Sequence, residues 1–148
     1  MGSGFVEKFA HGIESPELGA IGMAIDTLDY DLDGNIDVLV GSERGKWRLF
    51  KNTFSNPPGL TIKVGRSPKK NGTALGAKII LNSCGVEQSR VLGSNGASYS
   101  YSANNHIHFG INTCTQPMLL NVNYSNLEQV SIEIEKNKKE IIVGNFSK

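Results

Sequence analysis

Apolar and polar positions alternate along the chain in short runs bounded by Gly, Asn, Ser or Pro. No long stretch keeps the i, i+3, i+4 repeat of an amphipathic helix. Alternation with period two is what a strand with one buried face requires. The pattern predicts strands near Gly22–Thr27, Ile36–Gly41, Trp47–Asn52 and Leu60–Val64. Further runs fall at Lys78–Asn82, Gln88–Leu92, Ser98–Ser102 and Ile107–Gly110, then Met118–Asn123, Val130–Ile134 and Glu140–Val143. Turn signals such as Asn71-Gly72, Asn95-Gly96 and Ser125-Asn126 separate them. The expected fold is all-β.

Paired prolines in Asn56-Pro-Pro-Gly exclude both a helix and a central strand, so they mark the boundary between residues 1–55 and residues 56–148. The first piece holds the strands of one propeller-type blade. The second reads as a small β-sandwich or barrel-like domain. A lone blade buries its faces only against neighbours, so it either ends a longer array or packs on the second domain, and both arrangements stay open.

Composition narrows this further. At 148 residues the chain is too short for a complete propeller or a large α/β enzyme, and 17 Gly with 20% charged residues fits turn-rich β structure rather than a helical bundle. No apolar run reaches the ~18 residues of a membrane-spanning helix. The N-terminal Met-Gly-Ser-Gly has no hydrophobic signal region, so the chain reads as a piece of something longer.

The net charge of +1 conceals an asymmetry: residues 1–43 carry nine acids against the single base Lys8, and residues 44–86 carry nine bases and no acid. All five Asp lie between Asp26 and Asp37. In Asp29-Tyr-Asp31-Leu-Asp33-Gly34-Asn35-Ile-Asp37 the carboxylates fall at positions 1, 3, 5 and 9. They repel one another unless a cation sits among them, alternate positions of a tight loop converge on one point, and Gly34 permits the turn. Hard oxygen donors without His or Cys favour Ca²⁺ over Mg²⁺, which demands a strict octahedron. The expected ligands are side-chain oxygens of Asp29, Asp31, Asp33 and Asp37 with the carbonyl of Asn35, and Asp26 lies behind them or at a strand edge. An EF-hand is excluded, because position 12 is Val40 and the flank Ile36-Asp-Val-Leu-Val40 is strand-like. The alternative is a solvated acidic turn.

The segment Gly22-Met-Ala-Ile-Asp-Thr-Leu-Asp-Tyr-Asp-Leu-Asp-Gly-Asn-Ile-Asp-Val-Leu-Val resembles an FG-GAP/VCBS repeat, the calcium-binding blade of integrin-like propellers. Downstream, Gly72-Thr-Ala-Leu-Gly-Ala-Lys-Ile, Glu87-Gln-Ser-Arg-Val-Leu-Gly-Ser-Asn-Gly and His106-Ile-His-Phe-Gly-Ile resemble the ASPIC/UnbV domain that follows such repeats in cartilage acidic protein-like chains. The segment Asn121–Leu127 departs from the Trp-Pro-Asp-Gly-like turn usual there. The resemblance implies a secreted or cell-surface protein with structural calcium and no catalysis.

Cys84 and Cys114 are the only cysteines; a bridge would close a loop of about 30 residues and contribute roughly 3–4 kcal/mol on the chain-entropy argument. Asn71-Gly-Thr, Asn123-Tyr-Ser and Asn145-Phe-Ser are glycosylation patterns that fit a secreted surface. His106 and His108 alternate on a strand and share a face, but a metal would need a third ligand and His11 is the only other His; His108 is expected to pack or hydrogen-bond beside Phe109 in the core. No Gly-x-Ser-x-Gly elbow or phosphate loop is present, so no catalytic residues are assigned. Bases between Arg44 and Lys78 offer a polyanion contact, or simply a solvated face. Nucleic acid is not expected, since Trp47, Phe50 and Phe54 fit strand packing better than base stacking. The reading is a non-enzymatic, extracellular, calcium-binding adhesion or recognition module for a protein or glycan of the cell surface or matrix. The alternatives are an accessory substrate-binding module of an enzyme and a structural cap on a propeller.

Overall fold

The computed structural model describes residues 21–53, 59–93, 106–111, 116–135 and 137–146. Among these there is no helix; ten strands form three sheets. The first sheet is a meander of β1 (Ile21–Leu28), β2 (Asp37–Glu43) and β3 (Arg48–Phe50). The second places β4 (Gly59–Val64) between β7 (His106–Gly110) and β10 (Glu140–Val143). The third is ordered β6 (Val86–Val91), β5 (Lys78–Ser83), β8 (Met118–Asn123), β9 (Gln129–Ile134). Every pairing is antiparallel except β10 with β4, where Glu140 lies beside Thr61 and Val143 beside Val64. Among the described residues no sheet closes on itself, which disfavours the barrel-like alternative. The expected strand at Ser98–Ser102 lies outside the described residues.

Alternation places the core. Leu60, Ile62 and Val64 of β4 point one way, and Ile79 and Leu81 of β5 with Leu120 and Val122 of β8 meet them from the third sheet; all seven are fully buried. Phe109, Ile134, Met118 and Val143 complete a single cluster shared by the two sheets, the arrangement of a sandwich. Each such Leu or Ile contributes about 1.5–3 kcal/mol by leaving water. Where β6 and β7 edges meet, polar side chains seal the gap: Gln88 Nε2 donates to the Gly110 carbonyl at 2.7 Å, and the Arg90 guanidinium lies 5.2 Å from the Phe109 ring centre.

The same alternation corrects the expectation for His108. With Phe109 turned into the core, His106 and His108 project from the opposite face of the second sheet, beside Thr61 and Lys63, which pair with them in register. That outer face meets the turn between β1 and β2.

Candidate metal centre

The β1–β2 connection, residues 29–36, is built by its own carboxylates. Asp29 Oδ1 accepts the N–H of Asp33 at 3.0 Å and its Oδ2 accepts that of Gly34 at 2.9 Å. Asp33 Oδ1 accepts the N–H of Asn35 at 2.8 Å. Leu32 and Gly34 adopt positive φ, 58° and 96°, which lets so short a chain fold back; glycine meets this without steric cost and Leu32 does not. Asp37 opens β2 with 0% exposure, and its oxygens accept from the N–H of Asn52 at 2.7 Å and of Tyr30 at 3.2 Å. A fully buried carboxylate persists because both oxygens are met.

This folding brings Asp29, Asp31 and Asp37 together: one oxygen from each lies within 4.8 Å of the others. They fit a hard cation, because three oxygens converge with no nitrogen or sulfur among them. The ammonium of Lys51, just beyond β3, pairs with Asp31 and stands 3.5 Å from Asp33 Oδ2, so a positive charge already sits at the edge of the cluster. The backbone N–H of Asn35, above all, holds the Asp33 carboxyl below its ordinary value, and the Asp31 carboxylate raises the Lys51 ammonium above its own. Asp33, expected as a ligand, is outside the three-carboxylate group and engaged with Asn35 and Lys51; Asn35 serves as the donor to Asp33. Asp26 donates no oxygen to the group and lies on β1, where its Oδ1 accepts the Thr27 N–H.

A cleft of about 650 Å³ separates the turn from the outer face of the second sheet. Asp26, Asp29 and Tyr30 form one wall; Thr61, Lys63, His106, His108 and Glu140 form the other. Lys63 Nζ is 2.7 Å from Glu140 Oε1, so this pair is internally neutral. Burial lowers the pKa of both histidines, aided by Lys63 at His106 and by Arg90 at His108, with Glu140 and Asp29 opposing, which favours the uncharged ring. His108 Nδ1 is buried without a hydrogen-bond partner among the described residues. Lys51 and Lys63 thus pair two charges of the basic stretch with acids of the chain itself. His11 lies outside the described residues, as does Cys114; Cys84 occupies the β5–β6 turn.

A second constellation escaped the sequence reading. Glu128, 7% exposed, ties the β8–β9 turn to the segment around Ser67. Ser67 Oγ accepts from Gly72 N–H and from Asn126 Nδ2, each at 2.8 Å, and the Asn126 amide fills the space that a side chain at Gly72 would need. No spacing signal announces a group assembled from turns so far apart in sequence.

Residues 67–144 match the family model described as ASPIC and UnbV. The match begins after β4 and takes in the Ser67–Glu128 constellation and the third sheet, while the acidic turn precedes it. No curated protein and no solved structure matches the chain.

Proposed function

This chain belongs to the ASPIC and UnbV family, and we propose that it is a non-enzymatic, calcium-binding recognition module that works outside the cell. The observation that carries the reading is the convergence of Asp29, Asp31 and Asp37 within 4.8 Å in a turn between two strands. Calcium takes six to eight oxygens in flexible geometry, so Asp33 and the Asn35 carbonyl, both in the same turn, can complete the shell. The resemblance of residues 22–40 to an FG-GAP/VCBS repeat supports the same ion and a blade-like role for the first sheet.

A cation held only by the folded chain stabilises it by RT ln(1 + [L]/Kd), about 2.7 kcal/mol at one hundred times Kd. Extracellular calcium is abundant enough to fill even a weak site. The partner is a protein or glycan of the cell surface or matrix. Glycosylation at Asn71, exposed in its turn, fits the same location. Calorimetric titration of calcium into chelator-treated protein tests the reading: one equivalent of saturable binding and a higher melting temperature are expected, both lost in Asp29→Ala and Asp31→Ala. No binding by the parent chain would sink it.

The cleft favours a second reading, an accessory module that holds a small ligand. Its volume suits such a ligand, and the imidazoles of His106 and His108, with Thr61 and Tyr30, line it. His106→Ala with His108→Ala separates the two, because calcium affinity depends on neither ring in the first reading.

A further inference from the structure

The acidic turn does more than gather carboxylates. Two of its carbonyls also accept hydrogen bonds from residues of the second sheet's segments. Gly34 O accepts the N–H of Gly59, the first residue of β4, at 2.7 Å, and Leu32 O accepts from Lys139 Nζ, just before β10, at 3.3 Å. The carbonyl of Gly34 and the N–H of Asn35 belong to one peptide group. That group therefore donates to Asp33 Oδ1 at one end and accepts from Gly59 at the other. A hydrogen bond to an ionised carboxylate polarises the peptide and strengthens the bond its carbonyl accepts. Gly59 permits the approach: a β-carbon there would lie 2.0 Å from the His108 ring and 2.9 Å from Gly34 O.

We infer that the acidic turn is the docking element between the first sheet and the β4–β7–β10 sheet, with Asp33 and Gly59 as positioning residues, so that cation binding and docking are one coupled equilibrium. The inference rests on the calcium reading above. Asp29 holds the N–H groups of Asp33 and Gly34, and Asp33 holds that of Asn35, so a cation that fixes these carboxylates fixes the peptide that grips Gly59. Coupling is reciprocal: whatever loosens docking must weaken the cation by the same factor.

Two measurements on the full chain test this. Amide exchange at Gly59 reports the docking bond, and calorimetry with calcium chloride reports the cation. Chelation by EDTA is expected to speed Gly59 exchange at least about tenfold, and Gly59→Ala to weaken calcium about tenfold, within the usual range of coupling between sites. Gly110→Ala, where a β-carbon meets nothing within 4 Å, serves as the control and keeps the parent affinity. Lys139→Ala, which leaves every backbone intact, is expected to weaken calcium several-fold. Asp33→Ala removes the acceptor of the Asn35 N–H and is expected to lose Gly59 protection. Calcium binding unchanged in both Gly59→Ala and Lys139→Ala, with Gly59 exchange indifferent to EDTA, overturns the inference and leaves the calcium reading intact. No calcium binding by the parent chain overturns both.

Discussion

Glu128 closes a turn that begins 59 residues earlier: its Oε1 accepts the backbone N–H of Lys69 at 2.9 Å, and its Oε2 that of Lys70 at 3.0 Å. Burial pushes the carboxyl pKa up, but these two N–H groups with Ser67 and the Lys69 charge outweigh it, and the net shift is below the ordinary 4.5. A depressed folded-state pKa contributes stability above the unfolded value, and that stability is lost as pH falls through the folded value. Melting temperature of the parent chain is expected to fall as pH drops below about 4.5, with a shallower fall in Glu128→Gln, which is less stable at pH 7. Parallel curves for the two proteins would refute the assignment.

Asp31 and Asp37 are expected to separate by function. Asp37→Ala removes the carboxylate that accepts the part-buried N–H groups of Tyr30 and Asn52, at a cost of about 1–2 kcal/mol in calcium-free protein. Asp31→Ala removes an exposed partner of Lys51 and is expected to leave calcium-free stability nearly unchanged while abolishing calcium binding. Denaturant unfolding with and without EDTA distinguishes the two.

Lys51 pairs with Asp31 and Asp33, so on the proposed calcium reading it would compete with the cation for them. Lys51→Ala is expected to tighten calcium binding by up to roughly fivefold, the scale of an exposed ion pair. Weaker binding in that variant would mean that the ammonium organises the turn instead of competing for it.

Leu127 sits in the β8–β9 turn with φ of 65° and 88% of its surface exposed. It loses side-chain burial and pays the left-handed penalty, so Leu127→Gly is expected to stabilise the chain by about 0.5–1 kcal/mol. A lower denaturation midpoint in Leu127→Gly would contradict the argument.

Cys84, with φ of 50°, is the first of two left-handed residues in the tight β5–β6 turn, and Gly85 is the second. If it bridges to Cys114, the intact mass without reductant is lower by two hydrogens, about 2 Da, and thiol labelling finds no reactive sulfur. Two labelled thiols would remove one support for an extracellular location.

Much of this architecture was legible as period-two alternation. Leu60–Val64, Lys78–Asn82 and Met118–Asn123 fall inside β4, β5 and β8 because each buries one face and exposes the other. Trp47 misled the pattern: it reads as a strand residue, yet it lies before β3, 68% exposed, with its ring over Gly41. The turn of aspartates was legible because repulsion demands a reason for such crowding. The roles of Asp33 and Glu128 were not, because each depends on backbone N–H groups, which no side-chain pattern encodes. Which face His108 takes follows from Phe109, but alternation alone does not say which of two neighbours wins the core; the larger apolar ring does.

The parallel pairing of β10 with β4 sets how the domain bears load. The chain enters this pair at Gly59 and leaves it at Val143, at opposite ends of strands that run the same way. The bridge between Arg66 and Asn145, with both N–H···O contacts at 2.8 Å, extends the contact. Tension applied through the two flanking segments runs along the strands and strains all these hydrogen bonds together, whereas a hairpin pulled from its ends unzips them one after another. A module tethered through these segments would resist pulling in shear.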